Sequence, residues 1–167
     1  MSKRLNANGN VVKLNETKNG VPFFRKSGAS ELEKKIAMKI KRHPHPNIVK
    51  IYEVGDDYID MELLNTNVTQ NMCKMNKKDL IKAKNHMQRH GIVYLDWKPD
   101  NIGISYVTGK LKVFDFDMSG ILRKRLFYVN NWNLRPEIKG YLWRLAEQSG
   151  MVTPKKIDNW IFDNFLK

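Results

Sequence analysis

One cysteine, Cys73, stands among 167 residues, which rules out an intrachain disulfide framework and a zinc cage built from thiolates. A lone thiol of this kind reads as inert and places the chain in a reducing compartment, cytoplasm or nucleus. No run approaches the roughly 20 consecutive apolar residues that span a bilayer. The opening Met-Ser-Lys-Arg-Leu-Asn also lacks the apolar core of a secretory signal, so the expectation is a soluble, unprocessed protein with no membrane partner. Acidic side chains are scarce: 17 Asp and Glu against 30 Lys and Arg leave a formal charge of +13. Such a surface draws polyanions, whether nucleic acid, nucleotide phosphates or acidic proteins. The four histidines lack ligand spacing with carboxylates, and no zinc is assigned. Repeats and low-complexity segments are absent.

At 41% hydrophobic content the length suits one folding unit, with a single core or two small lobes sharing a cleft. Val11–Leu14 and Val21–Lys26, separated by a segment ending in Asn19-Gly20, predict an antiparallel pair. Ser30-Glu31-Leu32-Glu33 is a capping box, and Leu32, Ile36 and Ile40 then recur every four residues until His43-Pro44, which predicts a helix. Ile48–Val54 and Tyr58–Leu64 flank Gly55-Asp56-Asp57 as a second hairpin, and the strand-rich first part ends near Asn65. After a polar linker, Asn76 can cap a helix carrying Leu80, Ala83 and Met87 up to Gly91. Ile92–Asn101 reads as a loop, and Ile102–Val107 with Leu111–Phe116 as a third hairpin. Two amphipathic helices follow, Pro136–Ser149 and one that starts at Thr153-Pro154. Trp143 and Trp160 fall on their apolar faces as core anchors, whereas Trp97 lies in the loop, where it would shape a substrate entrance.

The chemistry concentrates in Asp96, Lys98 and Asn101, followed fourteen residues later by Asp115 at the end of an apolar strand. Phosphoryl transfer needs a carboxylate to orient the hydroxyl nucleophile and a cation to offset charge on the transferred group. It also needs an amide and a second carboxylate to hold Mg²⁺. Those residue types occur here in that order.

These residues resemble the eukaryotic-type protein kinase family. Tyr94-Leu95-Asp96-Trp97-Lys98-Pro99-Asp100-Asn101 is similar to the family's catalytic loop, and Lys112-Val113-Phe114-Asp115-Phe116-Asp117 to the strand leading into Asp-Phe-Gly. His45-Pro46-Asn47-Ile48-Val49 resembles the segment after the family's αC helix, and Met61-Glu62-Leu63-Leu64 its hinge. The resemblance implies an α+β, two-lobed fold: an antiparallel-sheet N-lobe with one helix (1–65) and a truncated, mainly helical C-lobe (66–167). It implies ATP and Mg²⁺ as cofactors, with Asp96 and Lys98 catalytic and Asn101 and Asp115 on the metal. Lys26 would grip phosphates and pair with Glu33, Gly9 and Val11 would cover the nucleotide, and Met61, Glu62 and Leu64 would meet adenine. Arg25 is the rival of Lys26, on the opposite strand face, and Glu33 has a rival role as the N3 residue of the capping box.

The departures are as informative. The nucleotide loop keeps one glycine, Gly9; Phe24 replaces a small residue under adenine; Tyr94-Leu95 replaces His-Arg; and Asp117 replaces the glycine after Asp-Phe. Asp117 would hold Mg²⁺ or face solvent. Arg135-Pro136-Glu137 is similar to Ala-Pro-Glu, and Asp158-Asn159-Trp160 faintly similar to the Asp-x-Trp of the next large helix at a longer spacing. Only 30 residues follow Glu137, as in compact kinases of large viruses and pathogens. The resulting expectation is a serine/threonine protein kinase acting on an acidic or nucleic-acid-associated protein, in the cytoplasm or nucleus of a host cell. The alternative is a pseudokinase that binds or mimics a host kinase or another regulatory partner.

Overall fold

A computed structural model describes residues 3–5, 11–13, 15–16, 20, 22–123, 126–129 and 141–167. Gly9, Arg135-Pro136-Glu137 and the expected helical residues before Tyr141 lie outside them. The architecture is mixed α+β, with small antiparallel sheets and five helices among the described residues.

Strand β1 (Lys3–Leu5) pairs with β2 (Val11–Lys13), while β3 (Asn15–Glu16) pairs with β4 (Pro22–Ser27). The expected partner of the 21–26 run was Val11–Leu14. The residues opposite β4 are instead the next two polar ones, so the hairpin is shorter and β2 joins a separate ribbon. Helix α1 (Glu31–Arg42) starts where expected: Ser30 Oγ accepts a hydrogen bond from the Glu33 amide at 3.1 Å. Its Ile36, Ala37 and Ile40 are buried, and it packs against β5 (Ile51–Val54). With β6 (Tyr58–Glu62) these strands form a four-stranded sheet in the order β3-β4-β6-β5. Strand β5 is shorter than predicted. Its register slips between Ile51 and Glu53, and Ile48 instead bridges Val113 in parallel, with Val49 and Val113 amides bonded to Val113 and Asn47 carbonyls at 2.9 Å.

Strand β7 (Leu64–Asn65) runs against β9 (Ile102–Ser105), which pairs with β10 (Leu111–Val113). Between β7 and β9, the expected polar linker contains a short helix, α2 (Gln70–Met75), capped by Thr69 Oγ1 on the Met72 amide. It carries Cys73, fully buried, whose thiol burial pushes up to about 11. Helix α3 (Lys77–Arg89) buries Leu80, Ala83 and Met87 as predicted. Asn76 does not cap it, because its amide donates to the Met72 carbonyl at 2.8 Å. The loop 92–101 opens with β8 (Ile92–Val93), which pairs with β11 (Gly120–Arg123); β11 pairs in turn with β12 (Leu126–Val129). Helices α4 (Tyr141–Gln148) and α5 (Pro154–Phe165) close the fold, α5 capped by Thr153.

Trp97 corrects its expectation. It is 2% exposed, with its ring edge-on to Tyr94 and to Phe162 of α5, both at 4.7 Å, so it anchors the loop to the core instead of facing an entrance. Trp143 is buried and Trp160 packs on the core, as their helical faces predicted. Among the described residues no helix is long and apolar enough to cross a membrane.

Candidate active site

Neighbouring residues of a strand point to opposite faces, and β4 separates its two cations in this way. Arg25 reaches Asp60 with Nε at 2.7 Å and Nη2 at 2.8 Å, and its guanidinium lies 4.0 Å above the Tyr58 ring centre. Lys26 turns to the other face, where Nζ is 2.7 Å from Glu33 Oε1, 3.2 Å from Asp115 Oδ1 and 2.8 Å from Asp117 Oδ1. The Glu33 amide is capped by Ser30 Oγ, while its carboxylate bonds Lys26 Nζ.

Three carboxylates around one ammonium set the electrostatics. Burial works against the charge of Lys26, but Asp115 and Glu33 outweigh it and hold the ammonium above its ordinary range. Burial, then the hydrogen bond with Asp117, pushes Glu33 up to about 8. Burial opposes ionisation of Asp117 too, yet bonds with Glu33 and Lys26 keep it below the usual carboxylate range. Oxygen atoms of Glu33, Asp115 and Asp117 all lie within 4.8 Å of one another. An all-oxygen set of this kind suits a hard cation such as Mg²⁺ better than zinc.

The second cluster belongs to the loop before β9. Pro99 starts a single 3₁₀ turn, Pro99–Asn101, that places Asn101 under Asp96. Asn101 Nδ2 donates to Asp96 Oδ2 at 2.7 Å and to the Asp96 carbonyl at 3.0 Å, and Lys98 Nζ stands 3.5 Å from the same Oδ2. The two clusters are tied by the Phe114 amide, which donates to the Asn101 carbonyl at 3.0 Å, next to Asp115. The Tyr94 hydroxyl also donates to the Phe114 carbonyl, and burial keeps that phenol neutral.

Among the described residues, Leu95 (φ +71°) and Asp115 (φ +62°) are the non-glycine positions in the left-handed region, a conformation that costs on the order of 1–3 kcal/mol each. Leu95 precedes the second cluster and Asp115 belongs to the first. Asp158 of α5 holds the loop of the second in place: wholly buried, it accepts from the Leu95 amide at 2.9 Å, Trp97 Nε1 at 2.8 Å and Gln88 Nε2 at 2.8 Å. This carboxylate was outside the expected site set. The Asp-Asn-Trp tripeptide was the only signal for it.

The expected nucleotide side is more mixed. Val11 lies in β2, and Gly9 is outside the described residues. Met61, buried, sits opposite Phe24 across the sheet, and Phe24 packs on the core. The Glu62 amide donates to the Lys50 carbonyl at 2.8 Å, and its side chain is buried on Lys112 Nζ and Ser105 Oγ, both at 2.6 Å. Leu64 lies opposite Ser105 in the β7–β9 pair and presses on Gly103, where an added Cβ would fall 2.5 Å from Leu64 Cβ.

No family model matches the chain. It is 29% identical over 94 residues to a probable serine/threonine-protein kinase of Streptomyces coelicolor, covering 45% of this chain and 14% of that protein. It is 26% identical over 98 residues to the serine/threonine-protein kinase cds1 of Schizosaccharomyces pombe, covering 50% and 21%. It is 28% identical over 112 residues to a cAMP-dependent protein kinase, catalytic subunit-like, of Caenorhabditis elegans, covering 58% and 27%. The matched stretch is thus about half of this chain and little more than a quarter, at most, of those relatives. These partial likenesses support a protein-kinase-type relationship.

Proposed function

We propose that this chain is an ATP- and Mg²⁺-dependent phosphotransferase with a two-lobed, protein-kinase-like fold that phosphorylates serine or threonine hydroxyls of a protein. The observation that carries the reading is the 2.7 Å Lys26–Glu33 pair, turned toward Asp115 and bonded through the Phe114 amide to the Asp96–Asn101 cluster. ATP supplies the γ-phosphoryl group when bound, and Mg²⁺ the charge that offsets its oxygens. Asp115 and Asn101 would hold the metal, and Lys26, kept in place by Glu33, would grip the phosphates. Met61, Glu62 and Leu64 would border the adenine. Asp96, oriented by Asn101, aligns the attacking hydroxyl and takes its proton, and Lys98, half-exposed beside it, offsets charge on the group in transit. The charge of +13 favours an acidic or nucleic-acid-associated protein as substrate.

A pseudokinase reading draws on Phe24 against the core opposite Met61, and on Asp117 held on Lys26 where a phosphate would sit. Radiolabelled ATP turnover, with a generic basic protein and with the chain itself as acceptors, separates the two. Phosphate transfer that disappears in Asp115→Ala is the expected result. Thermal stabilisation by Mg·ATP with no transfer favours the pseudokinase, and the absence of both responses overturns the nucleotide reading.

A further inference from the structure

All four histidines of the chain, none of them part of the candidate active site, gather in one cluster. The His43 and His90 rings stack at 4.0 Å, His86 lies 4.7 Å from His90 and 4.9 Å from His45, and the His86 ring bonds the His43 carbonyl through Nε2 at 2.8 Å. The prolines of His43-Pro44-His45-Pro46 restrict the backbone that presents His43 and His45, and α3 presents His86 and, at its C-cap, His90. Beside the stack a groove of about 470 Å³ opens between this segment and α3, lined by His45, Lys82, Asn85 and Arg89.

We propose that this groove is a binding site for a phosphomonoester. Each lining group presents a donor. His45 Nδ1 accepts from the Asn47 amide at 3.1 Å, so the neutral ring carries its proton on Nε2. Among the described residues Asn85 and Arg89 have no hydrogen-bond or ion-pair partner, and the Lys82 ammonium is 3.7 Å from Asp79, beyond hydrogen-bond reach. Lys82, Asn85 and Arg89 recur at i, i+3 and i+7, which stacks them on one face of α3. Two full positive charges and two neutral donors match a dianion with oxygens on several sides. The surroundings add to this: Lys39 and Arg89 act on His90, Arg89 and Lys82 on His45 with Asp79 opposing them, and burial followed by His86 and Arg89 holds His45 below its ordinary value. Lys82 and Arg89, with the spare donors of Asn85 and His45, are complementary to phosphate, and Asp79 offsets only part of their charge. A nucleic-acid strand fits less well, because the groove lining of His45, Lys82, Asn85 and Arg89 offers no Phe, Tyr or Trp on which a base would stack.

The test follows the histidine ring resonances of the full chain by NMR during titration with inorganic phosphate, a phosphoserine peptide and a single-stranded oligonucleotide, ionic strength held constant with chloride. Saturable shifts of His45 with phosphate or the phosphopeptide are expected. The exposed double variant Lys82→Gln/Arg89→Gln should weaken them by tenfold or more, by the usual strength of charge-assisted bonds, with the ring contacts of His43 and His90 unchanged. Tenfold tighter binding of the peptide would assign the phosphate to a protein, and equal binding to a free phosphate. Shifts absent with both, equally produced by chloride, retained in the double variant, or seen with the oligonucleotide alone would overturn the site. None of these outcomes depends on phosphoryl transfer, so this site and the proposed activity stand or fall separately.

Discussion

Three donors from the loop and from α3 converge on the buried carboxylate of Asp158. Removing the acceptor in Asp158→Ala leaves the Leu95 amide and Trp97 Nε1 without partners at about 1–3 kcal/mol apiece, while Gln88 keeps its bond to Asn159 Oδ1, so a loss of at least ~2 kcal/mol is expected in urea unfolding. Asp158→Asn, which keeps one acceptor oxygen, should lose less. Glu33 has the opposite dependence on pH from an ordinary paired carboxylate. With its pKa raised from 4.5 to about 8, the folded chain keeps a proton that the unfolded chain releases. Its contribution is therefore present at acid pH and lost as pH rises through about 8. Unfolding measured from pH 5 to 9 should show stability falling, with a flatter profile in Glu33→Gln. At this scale strand parity made the division between Lys26 and Arg25 readable. The pairing of Asp117 with Lys26 was not, since it rests on the reach of a side chain from a turn 91 positions away.

Elements with a clear period and cap were legible: α1, α3 and α5 follow the spacing of their apolar residues, and Ser30 and Thr153 cap two of them. Helix α2 was not, because Cys73 is its one buried residue and six residues give no apolar stripe. Strands β8 and β11 are short, and they pair across 27 to 29 positions of the chain, a distance at which local pattern carries no signal. Ser30→Ala should cost about 1 kcal/mol and loosen the helix end that carries Glu33. Differential scanning calorimetry measures the first, and amide exchange over residues 31–36 the second. Gly103→Ala should cost about 1–3 kcal/mol, because β7 and β9 cannot separate without moving the segment that follows Met61. A fully stable Gly103→Ala protein would contradict this packing.

Across the whole molecule, the Glu62–Lys112 pair joins the end of β6 to β10, with Ser105 Oγ and the Lys50 amide completing the acceptor's bonds. Both side chains are about nine-tenths buried, so Lys112→Met strands a carboxylate and should cost about 3–5 kcal/mol. The double change Glu62→Leu/Lys112→Met removes both charges and should recover most of it. Glu62 was expected at the adenine edge, and no local pattern announces a partner 50 residues on.

Cys73 gives such comparisons their own instrument. The one thiol of the chain is sealed in α2 and its pKa is pushed up to about 11, so a disulfide reagent cannot reach a thiolate until the surrounding core parts. The rate of its modification under native conditions therefore clocks the opening of the fold, without added label or denaturant. That clock should run faster in Lys112→Met.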